Sequence, residues 1–212
     1  MLKKAKPSYI RESVYGPEPK MRAGELPGIE ALDIRELFPD VPGEIFLEGG
    51  DLSVIREATK EALKKVKMDM IEPKDMVNLL SSQYGFQIMS GEGYTEMLKT
   101  IKDVVEEKTG CKNIRLRVAT GFRIREPLEI IKHYKLDEYF KGQARPVRAI
   151  DKGVPIETEI GTLYGVAKIY DADWIIHAHH GELRELDMHR MINRATKPFA
   201  MSYARMETRG VA

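Results

Sequence analysis

The sequence predicts an α/β fold, a mostly parallel sheet flanked by helices in a Rossmann-like manner, and three observations carry that expectation. Short apolar, β-prone runs at 76–82, 113–121 and 173–179 alternate with stretches of three- and four-residue apolar periodicity at 52–66, 94–108 and 127–139. Strand, loop and helix in repeated succession predict parallel strands joined by right-handed crossovers. The last apolar run ends in three histidines and a glycine. Strand-to-helix corners of this kind are where open α/β sheets bind their ligands.

Taken in order, residues 1–50 hold six of the eleven prolines and little sustained periodicity. They read as an extended N-terminal arm, with one short strand at 44–48, lying across a partner subunit or domain. The α/β domain then occupies 51–212. Its first helix, 52–66, places Leu52, Ile55, Ala58, Thr59, Ala62, Leu63 and Val66 on one side. Glu72-Pro-Lys-Asp75 makes a turn into a buried strand at 76–82, and a glycine-containing loop follows. The helix at 94–108 turns Met97, Ile101, Val104 and Val105 inward and ends at Gly110. Cys111 reads as a structural residue of the helix-to-strand turn. In the next strand Ile114, Leu116 and Val118 share a face. Between 144 and 172 the segments shorten, which predicts a hairpin turning through Gly161-Thr-Leu-Tyr-Gly165 and a short helix at 165–170. Near the C-terminus Phe199, Met201 and Tyr203 alternate as in a final strand, with core roles.

Composition excludes several function classes. Lys plus Arg number 34 against 33 Asp plus Glu, a net charge of +1, so nothing global favours nucleic acid or an anionic membrane. No apolar run approaches the roughly 20 residues needed to span a bilayer, and the first residues lack a secretory apolar segment. A single cysteine forbids an internal disulfide and suits a cytoplasmic protein. Neither strand-end loop carries the GxGxxG or P-loop pattern, so nucleotide-dependent dehydrogenases and kinases are unsupported.

The chemistry concentrates at 173–190, which holds four of the five histidines. On a strand His177 and His179 project to one side, about 7 Å apart along the backbone, and His180 to the other. Two such imidazoles can share a metal ion, or one can take a proton while the other orients a substrate. Candidate metal ligands are His177, His179 and His189, the last on the following helix. Candidate catalytic groups are His177, His179, His180 and Arg123. No cysteine or carboxylate completes a standard zinc spacing, which leaves zinc as one option for a site built of imidazoles. Arg184, with Arg123, can grip a carboxylate bidentately, and Ser82 and Thr120 stand at strand ends where a substrate would reach them. The structural alternative is polar residues hydrogen-bonded at a wet strand end, with Arg184 in solvated ion pairs on its helix.

The succession over 52–121, a helix leading to Pro73-Lys-Asp-Met-Val-Asn-Leu-Leu-Ser-Ser82, a glycine loop, a helix and then Arg115-Leu-Arg-Val-Ala-Thr-Gly-Phe-Arg123, resembles the first domain of the nickel-pincer lactate racemase family. Gly153-Val-Pro-Ile-Glu-Thr-Glu-Ile-Gly-Thr-Leu-Tyr-Gly-Val-Ala-Lys-Ile-Tyr-Asp-Ala-Asp-Trp-Ile-Ile-His-Ala-His-His180 is similar to that family's stretch leading into an Ala-Asp-hydrophobic strand, and the resemblance covers roughly 51–185. Where the family has an Asp and an Arg after the first strand, this chain has Ser81, Ser82 and Gln83. Where it has Thr-His-Arg, this chain has Thr120-Gly-Phe-Arg123. Lys197 is only a remote counterpart of the lysine that carries the covalent pincer cofactor. The resemblance implies a racemase or epimerase of a small 2-hydroxy acid, with a metal, nickel by resemblance, at His177, His179 and His180. It also implies a homo-oligomer, or a second domain or subunit completing the site. The alternative is a non-catalytic relative that keeps the fold and binds a ligand or partner at the same corner.

Overall fold

A computed structural model of the chain describes residues 50–81, 85–86, 91–119, 125–159, 161–179 and 198–209. The expected N-terminal arm with its short strand, the helix after Gly181, and Ser82, Thr120, Arg123, His180, Arg184, His189 and Lys197 lie outside the described residues.

The first helix, α1 (Ser53–Leu63), starts where the Asp51 carboxylate accepts hydrogen bonds from the Ser53 N–H and hydroxyl, and it buries Ile55, Thr59 and Leu63 at four-residue steps. Strand β1 (Met76–Ser81) is buried along nearly all its length, as expected of a central parallel strand. Helix α2 (Gly91–Thr109) begins earlier than periodicity alone predicts. It ends as expected at Gly110, which donates its N–H to the Glu106 carbonyl and turns the chain out of the helix at a φ of +71°. Cys111 is buried in that turn and its thiol donates to the Asp75 carbonyl, in keeping with a structural role.

Strand β2 (Asn113–Ala119) follows. The single helix expected over 127–139 is two: α3 (Glu126–His133) and α4 (Leu136–Tyr139), separated by Lys135 in the left-handed conformation at φ +50°. The break lets Ile130, Ile131, Leu136 and Phe140 all bury, which one straight helix of that length would not achieve against the same strands. Strand β3 (Ala144–Val147) leads to a hairpin of β4 (Gly153–Thr158) and β5 (Gly161–Val166), then α5 (Ala167–Tyr170), β6 (Trp174–His177) and α6 (Met206–Arg209). The Gly-Thr-Leu-Tyr-Gly segment expected as a turn is β5 itself, opened by Gly161 at φ +118°. The final strand expected around Phe199, Met201 and Tyr203 does not form. The Tyr203 N–H closes a turn onto the Pro198 carbonyl, and extended pairing survives only as an isolated bridge between Ala204 and Gly165.

The sheet runs β3-β2-β1-β6, every pair parallel, so the α/β expectation holds. Alternation along the strands gives it two different faces. Val77, Leu79, Ile114, Leu116 and Val118 meet α1, α2, α3 and α4 in the larger core. Leu80, Ala119 and Val147 meet Val166, Ile169 and Tyr203 in a smaller one. The chain builds outward from β1 to β2 and β3, then returns to the other side of β1 to lay down β6. That makes the β1/β6 boundary the topological switch point, the position where open α/β sheets leave a crevice at the carboxyl ends of the strands. Among the described residues, no helix is long and apolar enough to cross a membrane.

Candidate functional site

At that boundary β1 ends at Ser81 and β6 at His177, with Leu80 and His177 paired in register. The two strand ends are tied from both faces of the sheet. From the α2 side, the buried Tyr94 hydroxyl donates to the Ala178 carbonyl at 2.6 Å, its ring packed edge-on against Phe86 at 4.7 Å. Gly85 is required there, because a Cβ at that position would fall 2.1 Å from the Tyr94 ring. From the other face, Tyr203 brings its hydroxyl to 2.8 Å from His177 Nδ1 and 3.4 Å from the Ser81 carbonyl oxygen. Phe199 and Tyr203 both lie edge-on or tilted against the His177 ring.

His177 is half-buried, and its Nε2 is buried with no hydrogen-bond partner. Burial in this aromatic setting, reinforced by His179, pushes its pKa down to about 4. The ring is therefore neutral at pH 7. If the Tyr203 hydroxyl hydrogen goes to Ser81, Nδ1 carries the ring proton and Nε2 presents a bare lone pair. If it goes to Nδ1, Nε2–H is a donor lacking an acceptor. Either tautomer leaves Nε2 as the open valence of the site. Burial also raises the Tyr203 pKa well above the usual range, so its hydroxyl stays protonated.

The sequence expectation that His177 and His179 share a side is met: their ring centroids are 5.1 Å apart and the planes tilted by 36°. His179 is exposed, at the mouth of the corner. Two imidazoles on one tetrahedral ion, each bound at about 2.0 Å, have centroids about 5 Å apart, which is the spacing of this pair. Among the described residues no third His, Cys, Asp or Glu joins them in a group that could hold a metal. The other imidazoles expected there, His180 and His189, and the expected carboxylate grips, Arg123 and Arg184, are outside the described residues.

Tyr203 and Tyr94 are the parts of the site that sequence reasoning missed, Tyr203 being read only as a core residue. The available signal was chemical: a tyrosine buried in a core brings a hydroxyl that must find a partner. No protein-family model matches the chain, nor does any curated protein or solved structure.

Proposed function

We propose that this corner is the active site of a racemase- or epimerase-like enzyme acting on a small 2-hydroxy acid, with His177 as its central group. The observation that carries the reading is the buried, unpartnered Nε2 of a neutral imidazole at the β1/β6 switch point. A neutral ring is the form that accepts a proton from C2, which returned to the opposite face inverts the centre, or that ligates a metal. A base this weak in the free protein strengthens when a carboxylate-bearing substrate arrives, because a nearby negative charge favours the imidazolium. Tyr203 holds the ring in place through Nδ1, so Nε2 keeps one direction.

His177 and His179 are also the residues that would hold a metal ion, nickel or zinc. Such an ion would supply Lewis acidity toward the oxygens of a 2-hydroxy acid. The two uses of Nε2 exclude one another at any instant, and metal analysis separates them. Purified full-length chain is titrated with Ni²⁺ and Zn²⁺ by calorimetry, and interconversion of the two enantiomers of lactate and larger 2-hydroxy acids is followed by chiral chromatography. The expected result is racemisation abolished by His177→Ala. Metal dependence lost with both His177→Ala and His179→Ala assigns Nε2 to the metal, and metal-independent turnover assigns it to the proton. No turnover with or without metal overturns the enzymatic reading. It leaves the second one, a non-catalytic ligand-binding relative, which draws on the pairing of only two imidazoles among the described residues.

A further inference from the structure

The two edges of the sheet are finished differently. On β3, Pro146 has no N–H to offer a further strand and Arg145 stands exposed beside it, and proline and charge are the usual means of closing an edge. β6 reads Trp174-Ile175-Ile176-His177, with neither device, and among the described residues it pairs with β1 alone. An apolar groove of about 630 Å³ follows that open edge, between β6 and α1. Ile55, Thr59 and Leu63 of α1 are buried in the core, whereas Val54, Ala58, Ala62 and Val66, also at four-residue steps, are exposed on α1 and just past its end. Ala58, Ala62 and Val66 line the groove with Met70 and Ile176. A second apolar stripe beside the buried one marks a face that something covers. Trp174 and Ile176 pack against the larger core, so alternation puts Ile175 on the other face, where it is 37% exposed.

We propose that residues 44–48 of this chain, Glu44-Ile-Phe-Leu-Glu48, dock at this edge as a fifth strand parallel to β6. These residues lie outside the described ones, and the chain that follows them decides where they can go. The C-terminal end of α1 leads through the turn at Glu72 and Asp75 into the start of β1, so the helix begins at the carboxyl ends of the strands. A parallel strand ending at 48 finishes at the same end. Residues 49–52 then join it to Ser53, through Gly49-Gly50 and the Asp51 that caps the helix, within the usual span of about two to six residues for such a connection. The hand of the crossover selects the edge. Steps from β1 to β2 and β3 pass over α2, α3 and α4, which share the larger-core face with α1. A crossover into β1 over α1 has the same hand only if it arrives from the β6 side, and parallel crossovers are almost always right-handed. On that edge Ile45 and Leu47 turn into the groove, and Phe46 falls on the face of Ile175.

Hydrogen exchange of the full chain is followed by mass spectrometry. Amides of 44–48 are expected to exchange on the order of 100-fold more slowly than an unstructured chain. Ala62→Glu places a carboxylate in the groove from an exposed helix position, and Leu47→Asp places one on the docked strand. Each is expected to return 44–48 to the unstructured rate while β1 and β2 stay protected. With a short bis-maleimide, Phe46→Cys is expected to join Ile175→Cys within one chain. Unprotected 44–48 amides in the wild type overturn the inference, and so does protection that survives both substitutions. A cross-link that forms only between two chains gives the edge to a second copy, and one that forms instead with Arg145→Cys moves the strand to β3. Either result, or a failure to join at both positions, overturns it. Glu48→Cys joining Asp173→Cys at the start of β6 shows an antiparallel strand and overturns it as well.

Discussion

Two polar clusters lie on the same face of the same sheet, and they differ in one respect. Around Asn78 every valence is closed. Its side-chain amide donates to the Lys168 and Ile169 carbonyls and the Asp171 carboxylate, and its oxygen accepts from Arg115 Nε at 3.1 Å. Arg115 also donates to Asp171, Arg117 donates to the Lys168 carbonyl, and Lys168 reaches on to Asp151, which Arg148 grips in turn. Two residues further along β1, at the His177 corner, Nε2 is left open. Buried polar groups that satisfy one another hold the hairpin, α5 and the sheet in register. A buried polar group left unsatisfied is retained at a cost in stability and needs another reason to be there.

The widest gap between the clusters should appear on mutation. Asn78→Leu removes the hub of the closed network, takes from the Ile169 carbonyl its side-chain donor and leaves Arg115 Nε and the Lys168 carbonyl one bond short. A loss of about 3 kcal/mol is expected in urea denaturation. His177→Phe has nearly the same shape, removes the orphaned nitrogen and gives up one hydrogen bond, so it should change stability by less than about 1 kcal/mol while abolishing binding of 2-hydroxy acids. Equal losses from the two substitutions would remove the distinction between the clusters.

A second contrast is in pH dependence. The folded pKa of His177 is near 4, against the ordinary value of 6.5. Above pH 6.5 the ring is neutral in both states and contributes no pH dependence. Between 6.5 and 4 the unfolded chain takes up a proton that the folded chain refuses, so stability falls as pH falls. The decline, allowing for screening at a ring that is only partly buried, is on the order of 2 kcal/mol. Thermal melts across that window should show the slope in the wild type and a shallower one in His177→Phe. The same slope in both proteins would mean that the ring is solvated.

How much of this was legible in the sequence follows the reach of the forces involved. Periodicity located α1, α2 and the three main strands, because the side of a helix or strand that meets the core is a local property. It missed the break at Lys135, which depends on where Leu136 and Phe140 find space against β3, and it missed the end of the chain, where one carbonyl of Pro198 decides between turn and strand. The histidine corner was legible as a run of residue types on one strand. That His177 is held by Tyr203 was not, since those residues are 26 positions apart and meet only through tertiary packing. The polar face of the sheet was visible as Arg115 and Arg117 alternating with Ile114, Leu116 and Val118. The alternation gives the face; the identity of the partners, Asn78 and Asp171 for Arg115 and the Lys168 carbonyl for Arg117, comes only from tertiary structure.

The smallest predicted effect bears on whether the corner is built or merely crowded. Tyr203→Phe keeps the ring that fills the smaller core and deletes the hydroxyl between His177 Nδ1 and the Ser81 carbonyl. Because the Ser81 contact is long, the loss is essentially one neutral hydrogen bond, about 1 kcal/mol of stability. The more telling readout is the imidazole itself. With the hydroxyl present one ring nitrogen is committed, and long-range proton–nitrogen NMR should report a single dominant tautomer. Without it Nδ1 joins Nε2 as an unpartnered atom, and the two tautomers should approach equal populations, with metal or substrate affinity falling roughly 10-fold as the ring loses its fixed direction. A tautomer ratio and affinity that ignore Tyr203→Phe would mean that the ring is oriented by packing against Phe199 and the Tyr203 ring alone. The open valence of His177 would then be an accident of that packing.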